Sequence, residues 1–172
     1  MMEYSELRLR ALEPEDAQMM YAAEEDEAAW RYSDYLAPLS MRMLHEYALT
    51  YDADPLRSGQ LRLIVDIDGV PAGMLDLFDI SPRHLRADTG IYLLPSFRGK
   101  GLGVKALLLT KEFCRSRLGL HQLTASVARR NIQALRCYEE AGFRSTGTRP
   151  DWIRTPQGYE DVELLSCCLD SI

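Results

Sequence analysis

Long apolar runs are missing. No stretch of about 18 consecutive apolar residues occurs in the 172-residue chain, so nothing in it reads as a membrane-spanning helix. The opening Met1-Met2-Glu3-Tyr4-Ser5-Glu6 lacks a basic stretch followed by an apolar one, so it does not read as a signal peptide. An excess of positive charge is missing too. The formal net charge of −6 argues against DNA or RNA as a partner, because such binding replaces phosphate counterions with Lys and Arg. Cysteine is sparse, and Cys114, Cys137, Cys167 and Cys168 never fall into the paired CxxC spacing of a zinc site, so no metal centre is expected. Cys167 and Cys168 are neighbours in a strand-like run and point to opposite faces. Free thiols in a reducing compartment, the cytoplasm, are the expectation. Repeats, low-complexity segments and linkers are absent as well.

What remains is an ordinary globular mix, with 47% hydrophobic and 27% charged residues. The length fits one domain over residues 1–172, large enough to bury roughly 70% of its unfolded surface. Leu7-Arg8-Leu9-Arg10-Ala11-Leu12 alternates as a half-buried strand does. Pro14 and the acids beside it open a helix expected over residues 14–30, and a second is expected over 40–51. Residues 52–59 read as a polar loop. Residues 61–67 and 71–80 form a hairpin around Asp68-Gly69, and 86–94 is a third strand in succession. Beyond a glycine-rich turn come a helix closed by Gly119, a strand over 121–127, a helix over 131–140 and a final hairpin. The fold class is α/β (α+β), with a mixed, mostly antiparallel sheet of about seven strands and about four helices.

Two blocks carry chemistry. In Arg98-Gly99-Lys100-Gly101-Leu102-Gly103, between a strand and a helix, three glycines allow a tight turn and keep side chains out of a ligand's path. The free N–H groups of the following helix favour an anion such as a pyrophosphate, and Arg98 and Lys100 add positive charge. No Gly-Lys-Ser/Thr is present, so this is no Walker loop, and the preceding antiparallel run fits a dinucleotide fold poorly. A plain glycine turn is the structural alternative. The second block is Asn131-Ile132-Gln133-Ala134-Leu135-Arg136-Cys137-Tyr138-Glu139-Glu140-Ala141-Gly142-Phe143. Asn131 is a natural helix N-cap, and Ala134, Leu135 and Tyr138 share a face. On spacing alone, Tyr138 reads first as a core aromatic whose hydroxyl finds a local partner; the pairing of this block with the glycine turn is what points to chemistry.

In order and separation, these blocks resemble the coenzyme-A signature Gln/Arg-x-x-Gly-x-Gly/Ala and the later Asn-x-x-Ala…Tyr-Glu-x-x-Gly-Phe of the Gcn5-related N-acetyltransferase (GNAT) superfamily. The branch most similar holds spermidine acetyltransferases and the N-terminal acetyltransferases of ribosomal proteins. The cues are residues 7–12, Gly73…Arg86-Ala87-Asp88 and Gly158-Tyr159-Glu160-Asp161-Val162. The resemblance implies an enzyme that moves the acetyl group of acetyl-CoA to an amine, either of a small molecule such as a polyamine or of a protein N-terminus. It implies that the amides of Arg98, Gly99, Lys100, Gly101, Leu102 and Gly103 bind the pyrophosphate. Backbone groups of Leu93 and Leu94 would hold the pantetheine arm and the reacting carbonyl, Asn131 would touch the arm, and Tyr138 would protonate the departing thiolate.

An alkylammonium, with a pKa near ~10.4, must lose a proton before it can attack. Asp88, just ahead of the cofactor segment, is the expected base; its other reading is a surface acid beside Arg86. The acceptor site is expected from residues 20–40 and the final hairpin. There Glu24-Glu25-Asp26-Glu27 and Asp34 attract a cation or form a solvated helix face, and Trp30, Tyr32, Tyr35 and Trp152 line a cleft or the core. The spermidine enzymes carry paired acids just ahead of the second helix, where this chain has Tyr35-Leu36-Ala37-Pro38. A homodimer or larger homo-oligomer is also expected. Two other readings stay open: a non-catalytic acyl-CoA sensor, and a nucleotide-binding α/β domain.

Overall fold

The computed structural model describes residues 6–33 and 35–169. Asp34 of the expected acceptor cluster lies outside the described residues. The chain runs through β1 (Leu7–Ala11), a 3-10 turn (Pro14–Asp16), α1 (Ala17–Glu24), α2 (Glu27–Trp30), α3 (Met41–Leu49) and α4 (Pro55–Ser58). It continues through β2 (Leu61–Ile67), β3 (Val70–Ser81), β4 (Arg86–Leu93), a second 3-10 turn (Pro95–Phe97) and α5 (Leu102–Ser116). Then come β5 (Gln122–Ala128), α6 (Ile132–Glu140), β6 (Arg144–Thr155) and β7 (Gly158–Cys168). One seven-stranded sheet has the order β1-β2-β3-β4-β5-β7-β6. Every neighbouring pair is antiparallel except β4 and β5. The expected fold class is the one found.

Local chemistry explains the departures from the expected elements. The helix expected over 14–30 breaks after Glu24, because the Asp26 carboxylate accepts from the amides of Ala28 and Ala29 and so caps a new one-turn helix, α2. The stretch expected as a loop contains α4. Asp54 caps it by accepting from Leu56 and Arg57, Pro55 sits at its first turn, and Gly59 closes it at φ +72°. These single turns raise the α-helix count to six among the described residues.

Two layers cover the sheet. Alternate β-strand residues point to opposite faces. Leu63 and Val65 of β2, Leu75 and Leu77 of β3 and Ala87 of β4 therefore meet α5 and α6, in one core with Leu102, Leu107, Cys114, Tyr138 and Phe143. Helix α5 forms because Leu102, Ala106, Leu107, Thr110 and Cys114 recur at helical spacing and are all buried. Each large side chain so buried contributes about 1.5–3 kcal/mol. On the opposite face Ile64 meets Met19 and Met20 of α1 and Leu44 and Ala48 of α3. Arg10 stitches this face at its edge: Nε donates to Asp66, and the terminal nitrogens donate to both oxygens of Asp16. Asp16 and Asp66 are each 2% exposed, and Arg10, with Arg8 pairing to Asp66 at 3.3 Å, offsets the charge of these two buried carboxylates.

Candidate active site

The parallel join is short. β4 and β5 pair only from Arg86 opposite Gln122 to Asp88 opposite Thr124. Beyond Asp88 the two strands part, and β4 keeps only β3 as a partner as far as Leu93. Antiparallel strands alternate which residues bond across a given edge. Leu94 donates its amide to Ala72 O, so the main-chain groups of Thr89, Ile91 and Leu93 turn the other way, into the gap. Two side chains meet them there. The Tyr138 hydroxyl donates to Thr89 O at 3.2 Å, and Arg98 Nε donates to Leu93 O at 2.8 Å.

Helix α6 places Tyr138. Asn131 caps the helix by accepting from the Ala134 amide at 3.2 Å. One turn further on, the tyrosine ring lies edge-on to Phe143, 5.0 Å between centroids, and is 4% exposed. Burial pushes its phenol well above the ordinary tyrosine range, so it stays a proton donor at neutral pH. The neighbouring thiols are no nucleophiles. Burial pushes Cys137 up to about 11 and Cys114 up to about 12, which keeps both protonated.

The glycines of the turn do two different jobs. Gly99 (φ +71°) and Gly101 (φ +72°) hold the left-handed backbone of the turn, and an added Cβ at either would meet nothing within 4 Å. Gly103 is a packing glycine, since a Cβ there would stand 2.8 Å from Cys137 Sγ and push α5 off α6. The first intrahelical bond of α5 runs from the Lys105 amide to Gly101 O. The amides of Leu102, Gly103 and Val104 therefore have no acceptor within the helix, and Gly101 supplies no side-chain cap. An open, side-chain-free cradle ending in first-turn amides fits the diphosphate of coenzyme A.

Some expected groups are otherwise engaged. The amide of Arg98 is committed to Pro95 O, and both main-chain groups of Leu94 are taken, by Ala72 O and by the Phe97 amide. The Arg98 guanidinium turns inward and pairs with Asp26. Lys100 Nζ donates to Ser96 O at 2.7 Å. Asp26 also accepts from the Tyr92 hydroxyl at 2.9 Å. Burial raises the Asp26 carboxyl, but the hydrogen bonds from Arg98 and Tyr92 outweigh it and hold the group below the ordinary carboxylate range. Glu24 accepts from the Leu39 amide at 3.0 Å. Within the acidic run, then, Glu24 and Asp26 hold the fold together, while Glu25 and Glu27 face solvent.

Asp88 lies on the other face. It follows Ala87 and precedes Thr89, so alternation turns its side chain toward the α1 and α3 layer. Its carboxylate accepts from the Thr124 hydroxyl of β5, at the last parallel pair before the strands part. Beside it on this face a groove of about 490 Å³ runs between α3 and the strands, walled by Tyr35, Tyr47, Tyr51 and Phe78. Its floor holds Arg62, bonded to both oxygens of Asp76 at 2.7 Å with its guanidinium 5.5 Å from the Tyr47 ring centroid. Of the expected acceptor residues, Tyr35 reaches this groove. Trp152 is 60% exposed and lies under the Arg149 guanidinium, 4.7 Å from its ring centroid.

The groove escaped the sequence reading because a bulge between Val65 and Asp66 shifts the β2–β3 register by one residue. The Asp68-Gly69 turn alone would set Arg62 opposite Leu75; the bulge sets it opposite Asp76.

Residues 6–144 match the acetyltransferase (GNAT) domain family. The chain is 29% identical over 144 residues to the spermidine N(1)-acetyltransferase of Escherichia coli (strain K12), covering 82% of this chain and 74% of that protein. Its fold matches that of a spermidine N-acetyltransferase from Vibrio cholerae in complex with CoA and spermine, with a TM-score of 0.83, 24% identity, and coverage of 96% of this chain and 97% of that one. A dodecameric structure of the Vibrio cholerae enzyme gives a TM-score of 0.80 at 25% identity, covering 97% and 96%. No helix among the described residues is long and apolar enough to cross a membrane, and no group of three or more His, Cys, Asp or Glu among them is arranged to hold a metal ion. The chain belongs to the GNAT acetyltransferase domain family and is an acetyl-CoA-dependent N-acetyltransferase.

Proposed function

We propose that the acceptor is a primary amine of a small alkyl di- or polyamine, with Tyr138 as the acid and Asp88 as the base. The observation that carries this reading is the placement of two consecutive β4 residues on opposite faces, where the sheet opens. Thr89 presents its carbonyl to the Tyr138 hydroxyl on the α5 and α6 side. Asp88 presents its carboxylate on the α1 and α3 side, beside the groove. Acetyl-CoA, held by the first-turn amides of α5, supplies an activated acyl group. Asp88 takes the proton of the incoming ammonium, directly or through a water. The main-chain amide of Leu93 faces the gap and is the donor for charge that develops on the carbonyl oxygen. Tyr138 surrenders its proton to the departing sulfur. Asn131 contributes through its cap on α6, which fixes where Tyr138 stands.

The polyamine reading is supported by the relative named for spermidine and by the aromatic walls of the groove. A peptide N-terminus, the other acceptor expected from the sequence, has no counterpart among those relatives. The whole chain acts as one catalytic domain. It works in the cytoplasm, where the thiols of its four free cysteines stay reduced. The dodecamer of the Vibrio cholerae enzyme supports a homo-oligomer, which light scattering of the purified protein checks.

The test is free-thiol release from acetyl-CoA across spermidine, putrescine, aminoglycosides, amino acids and N-terminal peptides. Turnover on the alkyl amines at least tenfold above the peptides supports the reading. Turnover on no amine, with acetyl-CoA still raising the melting temperature, favours the sensor.

A further inference from the structure

One buried side-chain polar atom among the described residues has no hydrogen-bond partner: Oγ1 of Thr89. The residue is 2% exposed. A buried hydroxyl left unpaired is unfavourable, and a valine of nearly the same shape would remove the penalty. Its position gives the hydroxyl a purpose. Thr89 is the first β4 residue past the last β5 pair, and its carbonyl is the acceptor for Tyr138. Alternation sets its side chain with those of Ala87, Ile91 and Leu93, on the face where Tyr138 packs.

The acid step poses a problem at this spot. An ordinary phenol titrates near ~10 and an ordinary thiol near ~8.5, so handing a proton from tyrosine to a thiolate is uphill even in water. Burial raises the Tyr138 phenol further. Once the proton leaves, the phenolate oxygen faces the Thr89 carbonyl, an acceptor that repels it. The backbone of Ile91 offers that oxygen one hydrogen bond. A phenolate oxygen takes more than one, and a hydroxyl is free to rotate toward it.

We propose that Thr89 is a positioning residue whose hydroxyl turns to donate to the Tyr138 oxygen as that oxygen gives up its proton. This rests on Tyr138 being the acid. In the transfer, the amine nitrogen bonds to the acyl carbon and the carbon–sulfur bond breaks with its electron pair on sulfur. The nitrogen sheds two protons in all, one to Asp88 before it attacks and one to solvent as the carbon–sulfur bond breaks, and the Tyr138 proton goes to sulfur. The phenolate, held by Ile91 and Thr89, regains a proton from solvent afterwards. Thr89 keeps its own proton throughout.

The experiment measures kcat at saturating acetyl-CoA and amine, with the melting temperature, for Thr89→Val, Thr89→Cys, Thr89→Ser, Tyr138→Phe and Thr89→Val/Tyr138→Phe. Thr89→Val should lower kcat about 10–100-fold, as expected for a hydrogen bond to a charged group, while its melting temperature stays level or rises. Serine should restore most of the rate, and cysteine, a weak donor, should fall between. In the Tyr138→Phe background, Thr89→Val should cost nothing more. If Tyr138→Phe loses rate while Thr89→Val stays within twofold of the parent, or if the valine costs as much in both backgrounds, this inference is overturned alone. If Tyr138→Phe keeps its full rate, the acid assignment goes, and this inference with it.

Discussion

The two faces of the sheet are closed by different means. Under α5 and α6, Leu102, Leu107, Leu123, Phe143 and Leu165 are each at most 2% exposed, in one continuous apolar core. Under α1 and α3 the closed cluster is small, and Met19, Met20, Met41 and Met74 make up much of its surroundings. Methionine is unbranched and repacks readily. Ion pairs do the remaining work on that face: Arg10 with Asp16 and Asp66, Arg62 with Asp76, and Arg98 with Asp26. The stiff face holds Tyr138, the proposed acid, and the glycine turn proposed to receive the cofactor. The adaptable face holds the groove proposed to take the acceptor.

Replacing Arg10 is the sharpest way to break that comparison. Arg10→Met leaves the buried Asp16 carboxylate without its ion-pair partner and Asp66 with Arg8 alone, at 3.3 Å, which costs about 3–5 kcal/mol. Urea unfolding measures it, and an unchanged midpoint would mean that charge does not hold the acceptor face. Asp88→Asn removes the proposed base and should lower kcat/KM about 100-fold, with the loss shrinking as pH rises and more amine arrives already neutral. A pH-independent loss would assign Asp88 to structure. On the stiff face, Gly103→Ala presses a methyl group against Cys137 Sγ and should cost about 1–3 kcal/mol. Adding Cys137→Ala should recover most of it, and failure to recover would place the strain elsewhere.

The smallest effect is the response to acid. Burial raises the Asp66 carboxyl, but hydrogen bonds from Arg10 and the Gly69 amide, with the charges of Arg8 and Arg10, outweigh it and hold the group below the ordinary range. A carboxyl depressed in the folded state adds stability above its unfolded pKa, about 3.9, and loses it as pH falls through the lower folded value. Stability should therefore drop below about pH 4, and Asp66→Asn should flatten that drop in urea titrations at stepped pH.

What was legible in the sequence was contiguous. The run from Arg98 to Gly103 and the run from Asn131 to Phe143 each state their own turn, cap and helix, because glycine φ angles and N-caps are local properties. The groove was not legible, because it depends on a one-residue bulge that no local residue type announces. The break in the first helix was half legible. Asp26 is a good N-cap, but nothing nearby tells that its carboxylate also meets Tyr92 and Arg98, 66 and 72 residues away. Tyr138 stayed ambiguous in sequence because it is both things at once: a core aromatic by burial and, through one hydroxyl, a lining group of the gap.

A crystal structure with coenzyme A bound tests the central claim most directly. The account predicts the diphosphate on the amides of Leu102, Gly103 and Val104, the arm in the gap beside Thr89, Ile91 and Leu93, and sulfur within hydrogen-bond reach of the Tyr138 hydroxyl. Coenzyme A bound on the α1 and α3 face, or bound in the gap with Tyr138 out of reach of the sulfur, would contradict it.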